Sequence, residues 1–256
     1  LNAADPMVAN MAGSCPGSVT FFARDSSHAV LATHRAQGHR VLFLDGGAIV
    51  AAEGKFEHRI QLADIPITHN GTVGFQVENA MAAIGAAWGL GLDWNIVLDG
   101  LRTFENSASS TPGRFNIFSH KGATVIADYG HNPDAIEALT RAVEGMPAKR
   151  RMVVISGAGD RRDEDLRRQT QILGDAFDDV ILYEDQCQRG RADGEVLALL
   201  RDGLSNAKRT SFTQEIQGEF LAIDTALAKL EAGDLCLILV DQVEEALAHI
   251  ASRVVA

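Results

Sequence analysis

The chain has 256 residues, a net charge of −11, 46% hydrophobic and 22% charged residues. That length suits one large or two smaller domains with a buried core, and the acidic balance argues against a nucleic-acid partner, because phosphate binding favours a basic face. Cys15, Cys187 and Cys236 are too far apart to form a ligand-spaced pair, which argues against a disulfide framework or zinc site, and no run approaches the roughly 18 apolar residues of a membrane span.

Residues 6–12 read as a helix, Val19-Thr-Phe-Phe22 as a strand and residues 27–38 as a helical stretch, together the end of an α/β domain. Arg40-Val-Leu-Phe-Leu44 and Ala48-Ile-Val-Ala-Ala52 then flank Asp45-Gly-Gly47, a hairpin pattern because Asp-Gly favours the positive backbone angles of tight turns. A further extended piece covers residues 58–62, and Pro66 closes it. Residues 75–90 carry Val77, Ala80, Met81, Ile84, Ala87 and Trp88 at helical spacing, so this helix is buried against its sheet. Gln76 and Asn79, three apart near its start, share one side. One more helix covers residues 93–104. The polar stretch Glu105-Asn-Ser-Ala-Ser-Ser-Thr-Pro-Gly113 follows and reads as a linker.

Beyond the linker, strand and helix signals alternate. Strands are expected near residues 123–128, 152–156, 179–183 and 235–240, and helices near 133–145, 164–177, 194–203, 218–230 and 242–252. Such alternation predicts an α/β fold with a doubly wound, mostly parallel sheet. Between the buried run Thr124-Val-Ile-Ala127 and the helix from Pro133 lies the polar turn Asp128-Tyr-Gly-His-Asn-Pro133. A turn of this kind sits at the carboxyl end of a strand, where ligands bind. His131 and Asn132 can hydrogen-bond a base or ribose, and the helix amino terminus behind them favours anions. A proline at the first helical position with an Asx-type turn accounts for the same residues without a ligand.

Together with Asn2-Ala-Ala-Asp-Pro6, Gly74-Phe-Gln-Val-Glu-Asn79 and Gly113-Arg-Phe115, this turn makes an ordered set that resembles the Mur ligase superfamily, whose members make amide bonds from a carboxylate, an amine and ATP. Gly159-Asp-Arg-Arg-Asp-Glu-Asp165 and Tyr183-Glu-Asp-Gln-Cys-Gln-Arg-Gly-Arg191 narrow the resemblance to the cyanophycin synthetases, which build a polyaspartate chain carrying arginine side groups. The resemblance covers essentially the whole chain. It implies the remainder of a Mur ligase central, ATP-binding domain over residues 1–110, followed by a Rossmann-like carboxyl-terminal domain over residues 111–256, hinged near residues 107–113. The implied ligands are ATP with Mg2+, an amino acid (arginine) and a carboxylate-bearing peptide.

The sequence holds no Gly-x-x-x-x-Gly-Lys-Ser/Thr loop and starts at Leu1. The expectation is therefore the tail of a longer protein, with a phosphate-loop half that holds most of the metal and an ATP-grasp module ahead of it. The isolated chain should be inactive, with the missing amino-terminal domains as partners. A cytoplasmic location is the default, and large synthetases of this kind often form homo-oligomers.

The resemblance also implies roles for individual residues. Arg114 supplies a catalytic cation to the transferring phosphoryl group, although a solvated surface arginine is the competing reading. Asn79 contacts the adenine, with capping or surface hydrogen bonding as the alternative, and Asp128, His131 and Asn132 contact the nucleotide. Asp160 and Arg161 shape the amino-acid site, against a charged loop capping the next helix through Asp163 or Glu164. For an arginine substrate, Glu184 and Asp185 would accept the guanidinium and Arg189 and Arg191 the carboxylate, against a solvated mixed-charge loop. No metal ligand is assigned. Ala4-Asp5 stands where the family commonly has two aspartates, and Gly130 where many members have alanine. The other readings are a non-catalytic binding or assembly module and a different Mur-type peptide or folate ligase. A dinucleotide oxidoreductase lacks its Gly-x-Gly-x-x-Gly turn.

Overall fold

The computed structural model describes residues 1–185 and 189–255, in two compact units, Leu1–Glu105 and Asn106–Ala256. Gln186, Cys187 and Gln188, part of the arginine-rich stretch singled out above, lie outside the described residues. Among the described residues no helix is long and apolar enough to cross a membrane.

The first unit is built on a four-stranded sheet. β1 (Phe21–Asp25) runs parallel to β2 (Arg40–Asp45), and β2, β3 (Ala48–Glu53) and β4 (Phe56–Gln61) form an antiparallel meander. The β2–β3 turn places Gly46 and Gly47 at φ of 55° and 77°, the pair of left-handed conformations that a tight two-residue hairpin requires. β1 starts two residues later than the apolar run suggests. Its position is fixed by pairing to Val41 and by a parallel bridge to the first residues, in which Phe22 N–H donates to the Leu1 carbonyl and Ala3 N–H to the Phe22 carbonyl. The helix from Pro6 is short, α1 (Pro6–Asn10), and tightens into a 3-10 turn over Met11–Ser14.

β3 is buried on both faces because alternate residues serve two cores. Ile49 and Ala51 pack with Val77, Met81 and Ile84 of α3 (Gly74–Gly89) and Val97 of α4 (Trp94–Thr103). Val50 and Ala52 pack with Phe21 and with Leu31 of α2 (Ala29–Ala36). Truncating a fully buried member such as Met81 or Ile84 to alanine would cost about 2–5 kcal/mol.

The second unit is a six-stranded, doubly wound sheet in the order β5-β6-β10-β7-β8-β9. β5 (Asn116–His120) is antiparallel to β6 (Ala123–Asp128); β7 (Arg151–Ile155), β8 (Asp179–Glu184), β9 (Phe212–Gln217) and β10 (Leu235–Leu239) are parallel to β6. α5 (Pro133–Glu144), α6 (Asp163–Ala176) and α7 (Glu195–Leu204) pack in succession. α8 (Glu219–Lys229) and α9 (Val243–Arg253) cover Val125, Val154, Ile181, Cys236 and Ile238. β5 and β9 are absent from the expected strands. Both are edge strands, and their polar, partly exposed sequences give no apolar run.

The position of β10 matters most for function. Last in the chain, it inserts between β6 and β7, with Leu239 opposite Asp128 and Ile238 opposite both Ala127 and Val154. The carboxyl ends of β6, β10 and β7 are thereby brought side by side, with their connections leaving toward α5, α9 and α6. A reversal of strand order of this kind opens the crevice in which doubly wound sheets bind ligands.

Candidate functional site

The turn after β6 and the Gly113-Arg-Phe115 segment form one hydrogen-bonded assembly. Phe115 N–H donates to Asp128 Oδ2 at 2.8 Å, Tyr129 N–H to the Gly113 carbonyl at 2.9 Å, and Gly113 N–H to Asn116 Oδ1 at 2.8 Å. Gly113 has φ of +67°, and a Cβ there would meet Val243 Cγ1 at 2.8 Å, so glycine is required twice over. Phe115 is left-handed, at φ of 55°, and fully buried. Arg114, between these anchors, has its guanidinium carbon 5.9 Å from the centre of the Tyr129 ring. Asp128 is 7% exposed, and burial raises its pKa to about 6 against the opposing pull of the Phe115 N–H and the Arg114 charge. The backbone N–H of Gly130 also bonds this carboxylate, which is thus committed to two backbone donors within the protein.

His131 is buried, and its Nδ1 lies 2.9 Å from the Tyr129 carbonyl oxygen, which places the proton of the neutral ring on Nδ1; its Nε2 lies 3.7 Å from Asp241 Oδ1, beyond hydrogen-bond distance. Burial lowers its pKa, favouring that neutral form. Gln169 of α6 fixes the backbone by donating to the His131 carbonyl at 2.9 Å. Asn132 caps α5, its Oδ1 accepting Ala135 N–H at 2.8 Å, with Pro133 in the first turn. The Asx-type cap considered from the sequence is therefore present. At Gly130 a Cβ would press on Leu139 Cδ1 at 2.7 Å, which is a local reason for glycine there.

The loops after β7 and β8 are stapled together by Arg191. Its Nε donates to the Gly159 carbonyl and one terminal nitrogen to the Arg161 carbonyl, each at 2.7 Å, while the other meets Glu195 at 2.7 Å and Asp163 at 2.9 Å. Arg189 reaches further into the crevice, 2.9 Å from Asp241 and 3.6 Å from Asp160. Asp185 accepts from Gln242 Nε2 at 2.7 Å, and Arg161 is exposed. Glu184 is only 2% exposed. Its Oε2 accepts Gly194 N–H at 2.8 Å, whereas its buried Oε1 has no hydrogen-bond partner among the described residues. At α6 the capping position belongs to Arg162, whose side chain makes no cap bond, so neither Asp163 nor Glu164 caps the helix. They lie with Asp165 in its first turn, where negative charge suits the helix dipole.

His131, Asp160, Arg189 and Arg191 therefore converge on one edge of the second unit, while Glu184 sits beneath it. Sequence reasoning missed the residues that link them. Asp241 touches His131 and Arg189, Gln242 touches Asp185, and the buried Glu219 accepts the backbone N–H groups of both Asp241 and Gln242 at 2.8 and 3.0 Å. Burial raises the Glu219 pKa against those two bonds. The signal for Asp241 was the one that marked Asp128, a polar residue at the end of an apolar strand and before a helix.

In the first unit, Asn79 donates to Gln76 Oε1 at 3.0 Å, and Gln76 is buried. Gly74 opens α3 beneath Arg24, and a Cβ there would meet the guanidinium at 2.5 Å. Asp5, the acid retained in the first stretch, caps α1 by accepting from Met7 and Val8 N–H.

A model of the family described as Mur ligase, glutamate ligase domain, matches residues 113–239. The cyanophycin synthetase of Crocosphaera subtropica is 36% identical over 99% of this chain and 29% of its own length. The UDP-N-acetylmuramoyl-L-alanyl-D-glutamate–2,6-diaminopimelate ligase of Bradyrhizobium diazoefficiens is 34% identical over 64% of the chain and 32% of its own length. In fold, the chain matches E. coli FolC in complex with ADP, at 21% identity and a TM-score of 0.64, over 96% of this chain and 50% of that one. The chain thus spans less than a third of the length of the curated relatives it matches.

Proposed function

The chain belongs to the Mur ligase superfamily, and we propose that it is the carboxyl-terminal part of a cytoplasmic, ATP-dependent amide ligase of the cyanophycin synthetase kind, joining arginine to an aspartate carboxylate. Residues 1–110 belong to the central domain and residues 111–256 form the carboxyl-terminal domain. In the reaction, a carboxylate oxygen takes the terminal phosphoryl group of ATP and ADP leaves. The amine then attacks the acyl phosphate, loses a proton and expels phosphate.

The observation that carries this reading is the clamp between Gly113-Arg-Phe115 and Asp128. It holds a cation beside a strand-to-helix turn suited to a nucleotide, and a fixed cation stabilises charge as a phosphoryl group moves. Asp128, His131 and Asn132 contact the nucleotide in this reading, as does Asn79 in its own unit. Asn132 has its amide nitrogen to offer, since its oxygen caps α5. Asp160, Arg161, Asp185 and Arg189 face the amino acid. Glu184, buried beneath them, brings an oxygen that has no hydrogen-bond partner among the described residues, and Arg191 ties the surrounding segments together. Among the described residues no three His, Cys, Asp or Glu side chains come together as a metal site. The described residues offer the family's Mg2+ no dedicated ligand set.

The test is arginine- and peptide-dependent phosphate release from ATP by the full-length protein. Release that needs ATP, arginine and an aspartate peptide together supports the reading. Release with another amino acid in place of arginine would redirect it to a different Mur-type ligase, and none with any amino acid would favour a non-catalytic module.

A further inference from the structure

α9 begins without a side-chain cap of its own, although the first N–H groups of a helix need acceptors when they are withdrawn from water. The turn that leads into α9, not its first helical N–H groups, is held from the start of α8. Glu219, 1% exposed, uses Oε1 for Asp241 N–H and Oε2 for Gln242 N–H. Beside it, the buried Tyr183 hydroxyl donates to the Leu239 carbonyl at 3.1 Å, so the last residue of β10 and the turn after it are both tied down.

A buried carboxylate is a costly way to hold a turn, because its charge leaves water. A Ser or Asp at position 242 could cap α9 locally. What Glu219 adds is direction: with both backbone N–H groups fixed, the Asp241 side chain points to Arg189 and His131, and the Gln242 amide reaches Asp185.

We propose that Glu219 is a positioning residue that fixes the Asp241–Gln242 turn, and through it the side chains of Asp185 and Arg189, so that the crevice is shaped for the incoming amino acid. This rests on the reading of the crevice as the amino-acid site. Glu219 itself does not touch substrate; it acts through Asp241.

The experiment uses the full-length protein with Glu219→Gln, Glu219→Asp, Asp241→Ala and the Glu219→Gln/Asp241→Ala pair. Glutamine keeps the size of Glu219 but turns an NH2 group against one of the two N–H donors. The expected result is a rise in the arginine KM of at least about tenfold in Glu219→Gln, with the ATP KM within about twofold and partial recovery in Glu219→Asp. In the Asp241→Ala background the Glu219→Gln change should add less than about twofold, because coupled residues are not additive. Hydrogen exchange supplies a readout independent of turnover: Glu219→Gln should speed exchange at Asp241 and Gln242 and also across residues 189–194, with β4 unchanged. An unchanged arginine KM with only a lower melting temperature, effects of the two substitutions that multiply, or faster exchange confined to residues 241–242 would each overturn the assignment. If the wild-type protein shows no turnover with any amino acid, the amide ligase reading fails, and the exchange result alone decides the role of Glu219.

Discussion

Replacing Asp128 with asparagine should stabilise the second unit at neutral pH. The folded carboxyl titrates at about 6 against an ordinary 3.8, because burial outweighs the bond from Phe115 N–H and the charge of Arg114. Between about pH 4 and 6 the unfolded chain has lost this proton while the folded chain keeps it. The folded state then binds more protons, so this group's contribution to stability falls as pH rises through that window. A rise of about two pH units corresponds to about 3 kcal/mol. The penalty is absent below about pH 4 and complete above about pH 7. Asparagine resembles the protonated acid: it keeps an oxygen for the Phe115 N–H 2.8 Å away, gives up the carboxylate's second acceptor for the Gly130 N–H as the protonated acid does, and has no charge to desolvate. Asp128→Asn should therefore match the wild type at about pH 4 and exceed it by up to about 3 kcal/mol at about pH 8. The chain offers a two-channel assay: both tyrosines, Tyr129 and Tyr183, lie in the second unit and both tryptophans, Trp88 and Trp94, in the first. In urea titrations, tyrosine absorbance follows the affected unit and tryptophan fluorescence serves as the internal control. A difference between variant and wild type that stays constant from about pH 4 to 8, or a variant less stable at pH 8, would refute the reasoning.

Gly203→Ala should lower the tyrosine-reported unfolding midpoint by the equivalent of about 3 kcal/mol and leave the tryptophan signal unchanged, because the added Cβ would lie 2.2 Å from both the Arg167 carbonyl oxygen and Thr170 Oγ1. Arg191→Lys keeps the charge but cannot bridge the Gly159 and Arg161 carbonyls together, so residues 157–163 should exchange amide hydrogens faster and be cut sooner in limited proteolysis. The isolated 256-residue chain, which holds no Gly-Lys-Thr phosphate loop, should release no phosphate from ATP in response to arginine or aspartate; amino-acid-dependent release by the purified chain would contradict this.

The elements legible in the sequence were those whose own residues carry the signal. α3 shows its apolar face at helical spacing, β6 and β10 are unbroken apolar runs, and α5 announces its start with Asn132 and Pro133. β5 and β9 were not legible. Strands such as Phe212-Thr-Gln-Glu-Ile-Gln217 bury little and owe their conformation to the hydrogen bonds of a neighbour. The site divided in the same way. Asp128, His131 and Asn132 form one continuous turn, and their neighbourhood is local. Asp241 and Glu219 belong to it only because β10 returns to lie between β6 and β7, a long-range insertion that no local pattern encodes. The competing reading, in which Asp163 or Glu164 caps α6, fails for a local reason: Arg162 already occupies the cap, and the acids fall inside the first turn.

The central claim is that the Gly113-Arg-Phe115 and Asp128 clamp delivers Arg114 to a transferring phosphoryl group. The most direct test is steady-state kinetics of Arg114→Ala beside His131→Ala in the full-length protein, with ATP varied at saturating amino acid and peptide. The account predicts that Arg114→Ala lowers kcat by about a hundredfold or more while the ATP KM moves little, since the cation acts on charge that develops in the transition state. His131→Ala should instead raise the ATP KM. Wild-type kcat in Arg114→Ala would contradict the claim and leave Arg114 as a surface arginine stacked near Tyr129.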